Sequence, residues 1–304
     1  MTENTNQSGQ MENALTALSD AMVAAVERAA AATVMVNARR RLPASGILYS
    51  ADLILTADHV VEREDDIPIH FEHGDEARAA VVGRDPGSDL ALLRLEAASG
   101  TAAHTAPGEG RVGQLVLALG RPSAGGIQAS LGVVSALGGP VRTGRGGLIE
   151  RYLATDAVPY PGFSGGPLID AAGRVLGINT SGLARGSSLA IPAALAWSSA
   201  ATLAEHGHIR RGYLGLRTQP VRLPGSGQER SSGLLIVGVE DGSPAEKGGL
   251  IVGDILTGLG GQPVADHDEL LSRLSGALVG QPTQVAILRG GQPQVLDVVI
   301  GQRK

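Results

Sequence analysis

The chain has 304 residues, and its composition excludes several classes of protein. Hydrophobic residues make up 43% and charged residues 18%, which is typical of a globular protein with room for two domains. The formal net charge of -5 argues against nucleic acid as a partner, since phosphate binding requires a cationic surface. The absence of cysteine excludes disulfides, thiolate metal sites and a cysteine nucleophile.

The beginning of the chain lacks the pattern of an export signal. No basic residue precedes Arg28, and the nearest apolar run, residues 29–36, is short. A secretory signal has a basic start followed by an apolar stretch, and a membrane span needs about 20 apolar residues. We therefore predict no membrane span and a cytoplasmic location.

The predicted elements fall into three regions joined by a linker. Residues 1–32 form an N-terminal segment, in which apolar residues at helical spacing predict an amphipathic helix over 11–32. Residues 33–206 contain many short apolar runs separated by turn residues, which indicates a mainly β barrel or sandwich. This region ends in a helix that Gly207 stops. Residues 207–211 read as the linker, and residues 212–304 have the size of a small domain.

The string P-G-F-S-G-G-P, residues 161–167, places the hydroxyl of Ser164 among glycines and between prolines. Glycine and proline commonly mark loops, so an ordinary turn serine is the alternative to a nucleophile. A serine nucleophile needs a base that takes its proton. His59, in T-A-D-H-V-V, directly follows an apolar run that is predicted to form a strand. Its imidazole would then lie on a short turn at the end of the strand, where a cleft between two β-subdomains could hold it. The alternative is a surface histidine beside Asp58.

A base histidine needs a partner on its other ring nitrogen, which fixes the tautomer. Asp89 is the best candidate, because it precedes the apolar run L-A-L-L-R-L and its partly buried carboxylate would need a partner. Asp85 competes for this role. However, Asp85-Pro86-Gly87 has the composition of a plain turn.

The strings T-A-D-H-V-V, D-L-A-L-L and G-F-S-G-G-P-L occur in the order His, Asp, Ser, which resembles the trypsin-like serine proteases. The later strings D-A-A-G-R-V-L-G-I-N-T, S-L-A-I-P and R-G-Y-L-G-L narrow the resemblance to the HtrA/Deg family. It implies a trypsin-like double β-barrel in which His59 is general base and then acid, Asp89 orients it, and Ser164 attacks the scissile carbonyl. The backbone N–H groups of Gly162 and Ser164 would then form the oxyanion hole.

The chain departs from the family pattern around this site. Tyr160 and Phe163 stand where the family usually has asparagine, and bulky rings there would narrow the specificity pocket or hold the oxyanion loop in an unproductive state. Asp58 stands where the family has a small residue or asparagine, and we expect its side chain to face the surface. A second interpretation therefore stays open: a weakly active or inactive protease fold that acts as a peptide-binding chaperone or scaffold.

The resemblance also predicts the substrate pocket and the substrates. No acidic residue lies in the pocket walls, so a basic P1 side chain would find no counter-charge and small or medium aliphatic residues fit best. The expected substrates are unfolded or damaged polypeptides, cleaved without ATP through an acyl-enzyme. The predicted walls comprise Tyr160, Pro161, Asn179, Ser181, Ser188, Leu189 and Ala190.

From Gly212 onward the chain resembles a single PDZ domain, an α+β fold, through R-G-Y-L-G-L, G-S-P-A-E-K-G-G-L-I-V-G-D-I-L and G-Q-P-V. In the family, loop N–H groups receive a C-terminal carboxylate and the peptide adds a strand to the sheet. The resemblance thus implies regulation by C-terminal peptides in protein quality control and the stress response. For the leucines of H-D-E-L-L-S-R-L, the alternative is packing in the domain core. The predicted peptide-binding residues are Tyr213, Leu214, Gly215, Leu216, Leu270, Leu271 and Leu274.

We predict no cofactor and no metal site. His70 and His73 are three residues apart on a predicted strand, so they point to opposite faces and do not share a metal ion. The resemblance also implies a homotrimer. Such trimers often form through aromatic contacts near the N-terminus, and aromatic residues make up only 2% of this chain.

Overall fold

The computed structural model describes residues 3–98, 100–142, 148–149, 151–182, 188–209, 212–223, 232–274 and 278–302. The chain divides into two compact units, Met1–His208 and Ile209–Lys304. The division falls inside the predicted linker of residues 207–211.

The first unit begins with a long helix, α1 (Glu3–Ala30), which starts eight residues earlier than predicted. Residues 3–10, E-N-T-N-Q-S-G-Q, include more poor helix formers than good ones, so their propensities do not explain this extension. The helix ends at Ala30, and just beyond it the hydroxyl of Thr33 donates to the carbonyl of Ala29 at 2.8 Å. In the part of the chain that the structure describes, no helix is long and apolar enough to cross a membrane.

A closed barrel of six antiparallel strands follows α1. The interior is filled by aliphatic side chains such as Ile47, Leu55 and Leu92, all fully buried, as expected for a chain poor in aromatic residues. The strand order is β1-β2-β3-β6-β5-β4. The strands are β1 (Thr33–Val36), β2 (Ala44–Leu48), β3 (Leu53–Ala57), β4 (Ile67–His70), β5 (Glu76–Asp85) and β6 (Leu90–Leu95).

A second closed barrel has the strand order β11-β14-β13-β12-β7-β8. Between β8 and β11 in the sequence, β9 and β10 pair as a separate two-stranded sheet. These strands are β7 (Leu115–Gly120), β8 (Gln128–Gly138), β9 (Val141–Arg142), β10 (Leu148–Ile149), β11 (Tyr152–Thr155), β12 (Pro167–Asp170), β13 (Val175–Thr180) and β14 (Leu189–Pro192). Helix α2 (Ala193–His206) closes the unit and ends at Gly207, whose left-handed φ of 73° suits glycine. Two six-stranded barrels confirm the predicted double β-barrel.

The second unit is a small α+β domain, as predicted. Its sheet has the order β16-β17-β18-β20-β21, with β19 paired to β18, and β15 pairs separately with β22. Leu234, Leu256 and Ile287 lie in its core. The elements are β15 (Gly212–Tyr213), β16 (Leu216–Arg222), β17 (Ser232–Val239), α3 (Pro244–Lys247), β18 (Ile255–Leu259), β19 (Gln262–Pro263), α4 (His267–Arg273), β20 (Pro282–Arg289), β21 (Gln292–Val299) and β22 (Gly301–Gln302).

Candidate active site

The candidate site is built on loops at the ends of strands from both barrels. His59 lies in a single 3₁₀ turn, Asp58–Val60, directly after β3, and Asp89 immediately precedes β6. Ser164 lies in the turn before β12 of the second barrel, and Ser181 follows the last residue of β13. The structure therefore brings together residues that are far apart in the sequence.

Asp89 and His59 form the central pair of the site. His59 Nδ1 lies 2.8 Å from Asp89 Oδ2, and the backbone N–H of His59 donates to Asp89 Oδ1 at 2.9 Å. The hydroxyl of Thr180 donates to the same Oδ2 atom. Asp89 is buried and has a left-handed φ of 58°, a conformation that aspartate tolerates better than most residues. Both carboxylate oxygens are therefore engaged, which fixes the orientation of the imidazole.

Ser164 reaches the histidine through a third side chain. Ser164 Oγ lies 3.2 Å from Ser181 Oγ, and Ser181 Oγ lies 3.3 Å from His59 Nε2. Among the described residues, no direct hydrogen bond joins Ser164 Oγ to His59 Nε2. Ser181 was predicted only as a pocket wall, because sequence gives no sign of where a strand-end side chain points.

Asp85, the competing carboxylate, lies elsewhere. Its Oδ1 atom accepts a hydrogen bond from the backbone of Gly87 at 3.2 Å, and its Oδ2 atom accepts one from the hydroxyl of Ser88. These contacts close the turn before β6, as its composition indicated.

The loop around Ser164 has a sharp backbone that glycine makes possible. Gly162 has a φ of 92° and Gly165 a φ of 86°, and an added β-carbon would overlap Pro122 Cβ at Gly162 and the carbonyl oxygen of Ser45 at Gly165. In the described part of the chain, the N–H groups of Gly162 and Ser164 donate to no protein acceptor. These two donors are therefore available to a group bound beside the Ser164 hydroxyl.

Ser45 ties this loop to the first barrel, a role that the sequence did not reveal. Its hydroxyl donates to the carbonyl of Gly162 at 2.7 Å and accepts the N–H of Arg121 at 2.8 Å. Its backbone N–H donates to the carbonyl of Ser164 at 3.1 Å.

Burial lowers the pKa of the Arg121 guanidinium, which donates through Nε to the carbonyl of Thr33 at 2.9 Å.

Asp58 does not face the surface, so that expectation is wrong. Its side chain is 0% exposed and its Oδ1 atom lies 2.6 Å from Arg84 Nε. Arg84 also donates through Nη2 to the carbonyls of Asp58 and Val61, at 3.2 and 2.9 Å. A buried carboxylate needs such a partner, and the partner comes from β5, 26 residues later in the chain. The pair anchors the 3₁₀ turn that carries His59.

Phe163 does not narrow a pocket, because its ring is 0% exposed within the core of the second barrel. The Phe163 ring packs edge-on against the ring of Tyr160, with the ring centroids 5.4 Å apart. The Tyr160 side chain is about half exposed. Of the two aromatic departures, only Tyr160 therefore presents its side chain at the surface of the site.

The predicted pocket walls differ in how their side chains are used. Asn179 is buried, and its amide nitrogen donates to the carbonyls of Pro167 and Leu119 at 2.9 and 3.3 Å, so it holds the barrel together. Leu189 and Ala190 are buried on β14, Ser188 is half-buried, and Pro161 is exposed. Residues 183–187, between β13 and β14, lie outside the described residues.

In the second unit, most of the leucines predicted to bind peptide serve the core. Leu214, Leu270 and Leu274 are buried in the hydrophobic cluster, and Leu216 is partly buried against it. Leu271 is half-buried. The core alternative, which concerned the three leucines of H-D-E-L-L-S-R-L, therefore holds for Leu270 in α4 and for Leu274 directly after it.

The loop before β16 is held by contacts that fix its backbone. The carbonyls of Leu214 and Gly215 accept N–H groups of Ala245 and Glu240, both at 2.9 Å, and Gly215 has a φ of 80°. The Tyr213 hydroxyl donates to Glu240. The residues predicted to receive a carboxylate thus form an ordered turn at the start of β16.

His267 was missed by sequence analysis. It begins α4, and its Nε2 atom lies 3.0 Å from the carbonyl oxygen of Thr218 and 2.7 Å from the Thr218 hydroxyl. The imidazole therefore spans the space between α4 and strand β16.

A buried ion pair stabilises the second unit. Arg289 donates to both carboxylate oxygens of Asp254 at 2.8 Å, and Asp254 also accepts the N–H of Ile251 at 3.0 Å. The hydrogen bonds from Arg289 hold the pKa of the Asp254 carboxyl below its usual range, against the opposing effect of burial. Among the described residues, no three His, Asp or Glu side chains lie together in a way that could hold a metal ion.

Comparison with known proteins covers both units. A model of the trypsin-like peptidase domain matches residues 44–178, and a PDZ domain model matches residues 212–300. A solved structure described as the HtrA-type protease AlgW with decapeptide is 30% identical, with a TM-score of 0.80, and the match covers 93% of this chain and 99% of that one. The serine endoprotease from Yersinia pestis is 30% identical, with a TM-score of 0.79, over 93% of this chain and 98% of that one.

Curated relatives carry the name probable periplasmic serine endoprotease DegP-like. The protein from Pseudomonas putida strain GB-1 is 35% identical over 267 residues, which are 84% of this chain and 55% of that protein. The protein from Rhizobium meliloti strain 1021 is 34% identical over 274 residues, 86% of this chain and 54% of that protein. The chain thus spans about half the length of these relatives.

The relatives' names contradict the predicted cytoplasmic location. They are called periplasmic, which points to a compartment outside the cytoplasm. The prediction was wrong because it rested only on the missing export pattern, and the composition of a folded domain does not specify the compartment in which it works.

The solved structures match over nearly their whole length and contain both domains in the order seen here. The chain therefore belongs to the HtrA family of trypsin-like serine proteases that carry a C-terminal PDZ domain.

Proposed function

We propose that this serine protease cleaves unfolded or damaged polypeptides without ATP, with Ser164 as nucleophile, His59 as base and Asp89 as the orienting carboxylate. The observation that carries the proposal is the bond of 2.8 Å between His59 Nδ1 and Asp89 Oδ2. It leaves Nε2 as the acceptor atom that faces the serine hydroxyls. The location we propose, by analogy with the relatives named periplasmic, is outside the cytoplasm.

The proposed reaction follows from this arrangement. As Ser164 Oγ bonds to the carbonyl carbon, its proton passes to His59 Nε2 and the carbonyl π electrons move to oxygen. The free N–H groups of Gly162 and Ser164 stabilise that oxyanion, and one such donor contributes about 3 kcal/mol to the transition state. His59 then gives its proton to the leaving amine, and water releases the acyl group from Ser164 by the same steps.

Specificity for small or medium aliphatic P1 residues is part of the proposal. Among the described residues predicted as pocket walls there is no carboxylate, and Ser181 is exposed and Ser188 half-buried, whereas Leu189 and Ala190 are buried. Tyr160 is about half exposed, and we expect its ring to limit the room for a large P1 side chain. A lysine or arginine at P1 would leave water without gaining a counter-charge there.

Regulation by the PDZ domain is supported by the order and shape of the loop at Tyr213–Leu216. A peptide that pairs with β16 would bring its carboxylate to the N–H groups of this turn, which is how extended peptides add to an exposed sheet edge. Because the carboxylate is recognised by backbone groups, we expect a free C-terminus to be required. A related HtrA-type protease, AlgW, is known in a structure with a decapeptide.

Labelling with a fluorophosphonate tests the proposal. The reagent should form an adduct on the full-length chain that peptide mass spectrometry assigns to Ser164, and Ser164→Ala should abolish it. Ser198→Ala is the matched control, because Ser198 is an exposed serine of α2 outside the site. If Ser164 takes no label even when C-terminal peptides are present, the scaffold interpretation replaces the protease.

A further inference from the structure

Ser181 occupies an unusual position between the two groups that must exchange a proton. Its hydroxyl lies 3.2 Å from Ser164 Oγ and 3.3 Å from His59 Nε2, and its residue is exposed. Nothing in the proposed reaction needs a second serine at this point. The Ser181 hydroxyl therefore needs a different explanation.

The hydrogen-bonding direction follows from the Asp89 contact. The ionised carboxylate only accepts, so the neutral imidazole carries its hydrogen on Nδ1 and leaves Nε2 as an acceptor. The Ser181 hydroxyl therefore donates to Nε2. Its oxygen is then the acceptor for the hydroxyl hydrogen of Ser164.

We propose that Ser181 is a positioning residue that, in the unliganded enzyme, occupies the Nε2 site that Ser164 needs for proton transfer. The inference rests on the proposed roles of Ser164 and His59. While Ser181 donates to Nε2, the nucleophile has no direct base. Substrate binding must turn the Ser181 hydroxyl away, so that Ser164 can give its proton to Nε2 as its Oγ bonds to carbon.

Two features favour this holding role over a relay of the proton through Ser181. The Ser164 Oγ–Ser181 Oγ distance of 3.2 Å is longer than the usual distance of about 2.7–2.8 Å between hydroxyl oxygens. The Ser181 Oγ–His59 Nε2 distance of 3.3 Å is also long for a hydrogen bond between oxygen and nitrogen, so each contact is weak and easily exchanged. In addition, Nε2 must later deliver its proton to the leaving amine, and a hydroxyl fixed beside Nε2 would block that approach. Because Ser181 is exposed, its side chain can rotate without repacking the barrel.

The test is the rate of fluorophosphonate labelling of Ser164 in the full-length chain, separated into the maximal rate and the half-saturating concentration. Attack on phosphorus forms the Oγ–P bond, expels fluoride and sends the Ser164 proton to His59, so it needs the same base. Ser181→Ala should raise the maximal rate about three- to tenfold, the effect expected from removing one weak competing hydrogen bond. The half-saturating concentration should not change.

Two further variants make the result specific to the hydroxyl. Ser181→Thr keeps the hydroxyl and should restore the wild-type rate, and Ser198→Ala on α2 should leave the rate unchanged. An equal or slower rate for Ser181→Ala would overturn the inference while leaving the protease proposal intact. A faster rate that Ser181→Thr shares would also overturn it, since the hydroxyl would not be responsible.

The two proposals fail in distinguishable ways. A wild-type chain that takes the label at Ser164 as fast as Ser181→Ala does would support the protease and overturn only the role of Ser181. If neither chain accepts the label at Ser164, the protease proposal fails, and the role of Ser181 fails with it.

Discussion

A β-carbon on Gly182 would overlap the Oδ2 atom of Asp89, the oxygen that accepts the hydrogen bond from His59. The same atom would lie 3.1 Å from His59 Nδ1. No other residue type fits beside the pair without moving it. The residue after Ser181 is thus glycine for a reason of packing at the site.

Replacing this glycine should therefore lower activity without unfolding the chain. Gly182→Ala should displace the carboxylate and the imidazole and reduce kcat about 100-fold, the cost expected for a misplacement near 1 Å. Gly108→Ala is the matched control, because no atom lies within 4 Å of its added β-carbon. Equal rates for the two variants in a peptide hydrolysis assay would contradict the predicted contact.

Replacing Asp89 and Asp85 one at a time with asparagine should separate the roles of the two carboxylates. Asp89→Asn should reduce kcat about 10⁴-fold, because an amide can donate to the imidazole and favour the wrong tautomer. Asp85→Asn should leave kcat nearly unchanged and lower only the thermal stability, since Asp85 closes a turn. Kinetics and thermal unfolding of both variants provide the test. A large loss of kcat in Asp85→Asn would mean that the wrong carboxylate was assigned.

The loop that we propose for the peptide carboxylate depends on a left-handed glycine. In Gly215→Ala the added β-carbon would overlap Ser243 Cβ, so the loop must shift its N–H groups. We expect affinity for a peptide with an apolar C-terminal residue and a free carboxylate to fall at least tenfold, about 1.4 kcal/mol.

Calorimetric titration of the full-length chain measures this affinity. Gly242→Ala is the control, because Gly242 has a similar φ of 68° and open space around it. Amidation of the wild-type peptide should have the same effect as Gly215→Ala. Undiminished binding by Gly215→Ala would place the carboxylate elsewhere.

The Asp254–Arg289 pair should make the stability of the second unit depend on acid pH. The pKa of Asp254 is lowered in the folded chain, so its stabilising contribution is complete above the unfolded value, about 3.9, and is lost as the pH falls through the folded value. Asp254→Asn should cost about 2 kcal/mol at pH 7, and the difference from wild type should shrink below about pH 4.

Differential scanning calorimetry between pH 3 and pH 7 would measure this difference. Fluorescence of Trp197, the chain's one tryptophan, reports on the first unit, where its ring packs 5.9 Å from that of Tyr49, and should not change. A difference that stays constant down to pH 3 would show that the ion pair does not contribute as described.

The sequence could predict the features that local patterns encode. Short apolar runs with turn residues between them indicated a β barrel or sandwich, and the resemblance carried by the strings around His59, Asp89 and Ser164 implied the double barrel and located the loops of the site. Gly207 marked the end of α2 correctly, because a left-handed cap depends on the residue itself.

Features that depend on distant partners could not be predicted in this way. Asp58 is buried because Arg84 reaches it from another strand, and nothing in T-A-D-H-V-V indicates that partner. The position of the Ser181 hydroxyl beside His59 depends on where β13 ends relative to the first barrel, which the sequence does not indicate. Helical spacing indicated that at least half of the leucines of H-D-E-L-L-S-R-L face the core, but which of them do so depends on the packing of the helix against the sheet.

The most direct test is digestion of casein by the full-length chain, beside Ser164→Ala and His59→Ala. We predict that wild type cleaves casein and that Ser164→Ala is slower by about 10⁶-fold, which leaves no detectable product. Digestion by Ser164→Ala at the wild-type rate would contradict the account. Failure of the wild-type chain to cleave casein, even with C-terminal peptides present, would contradict it as well.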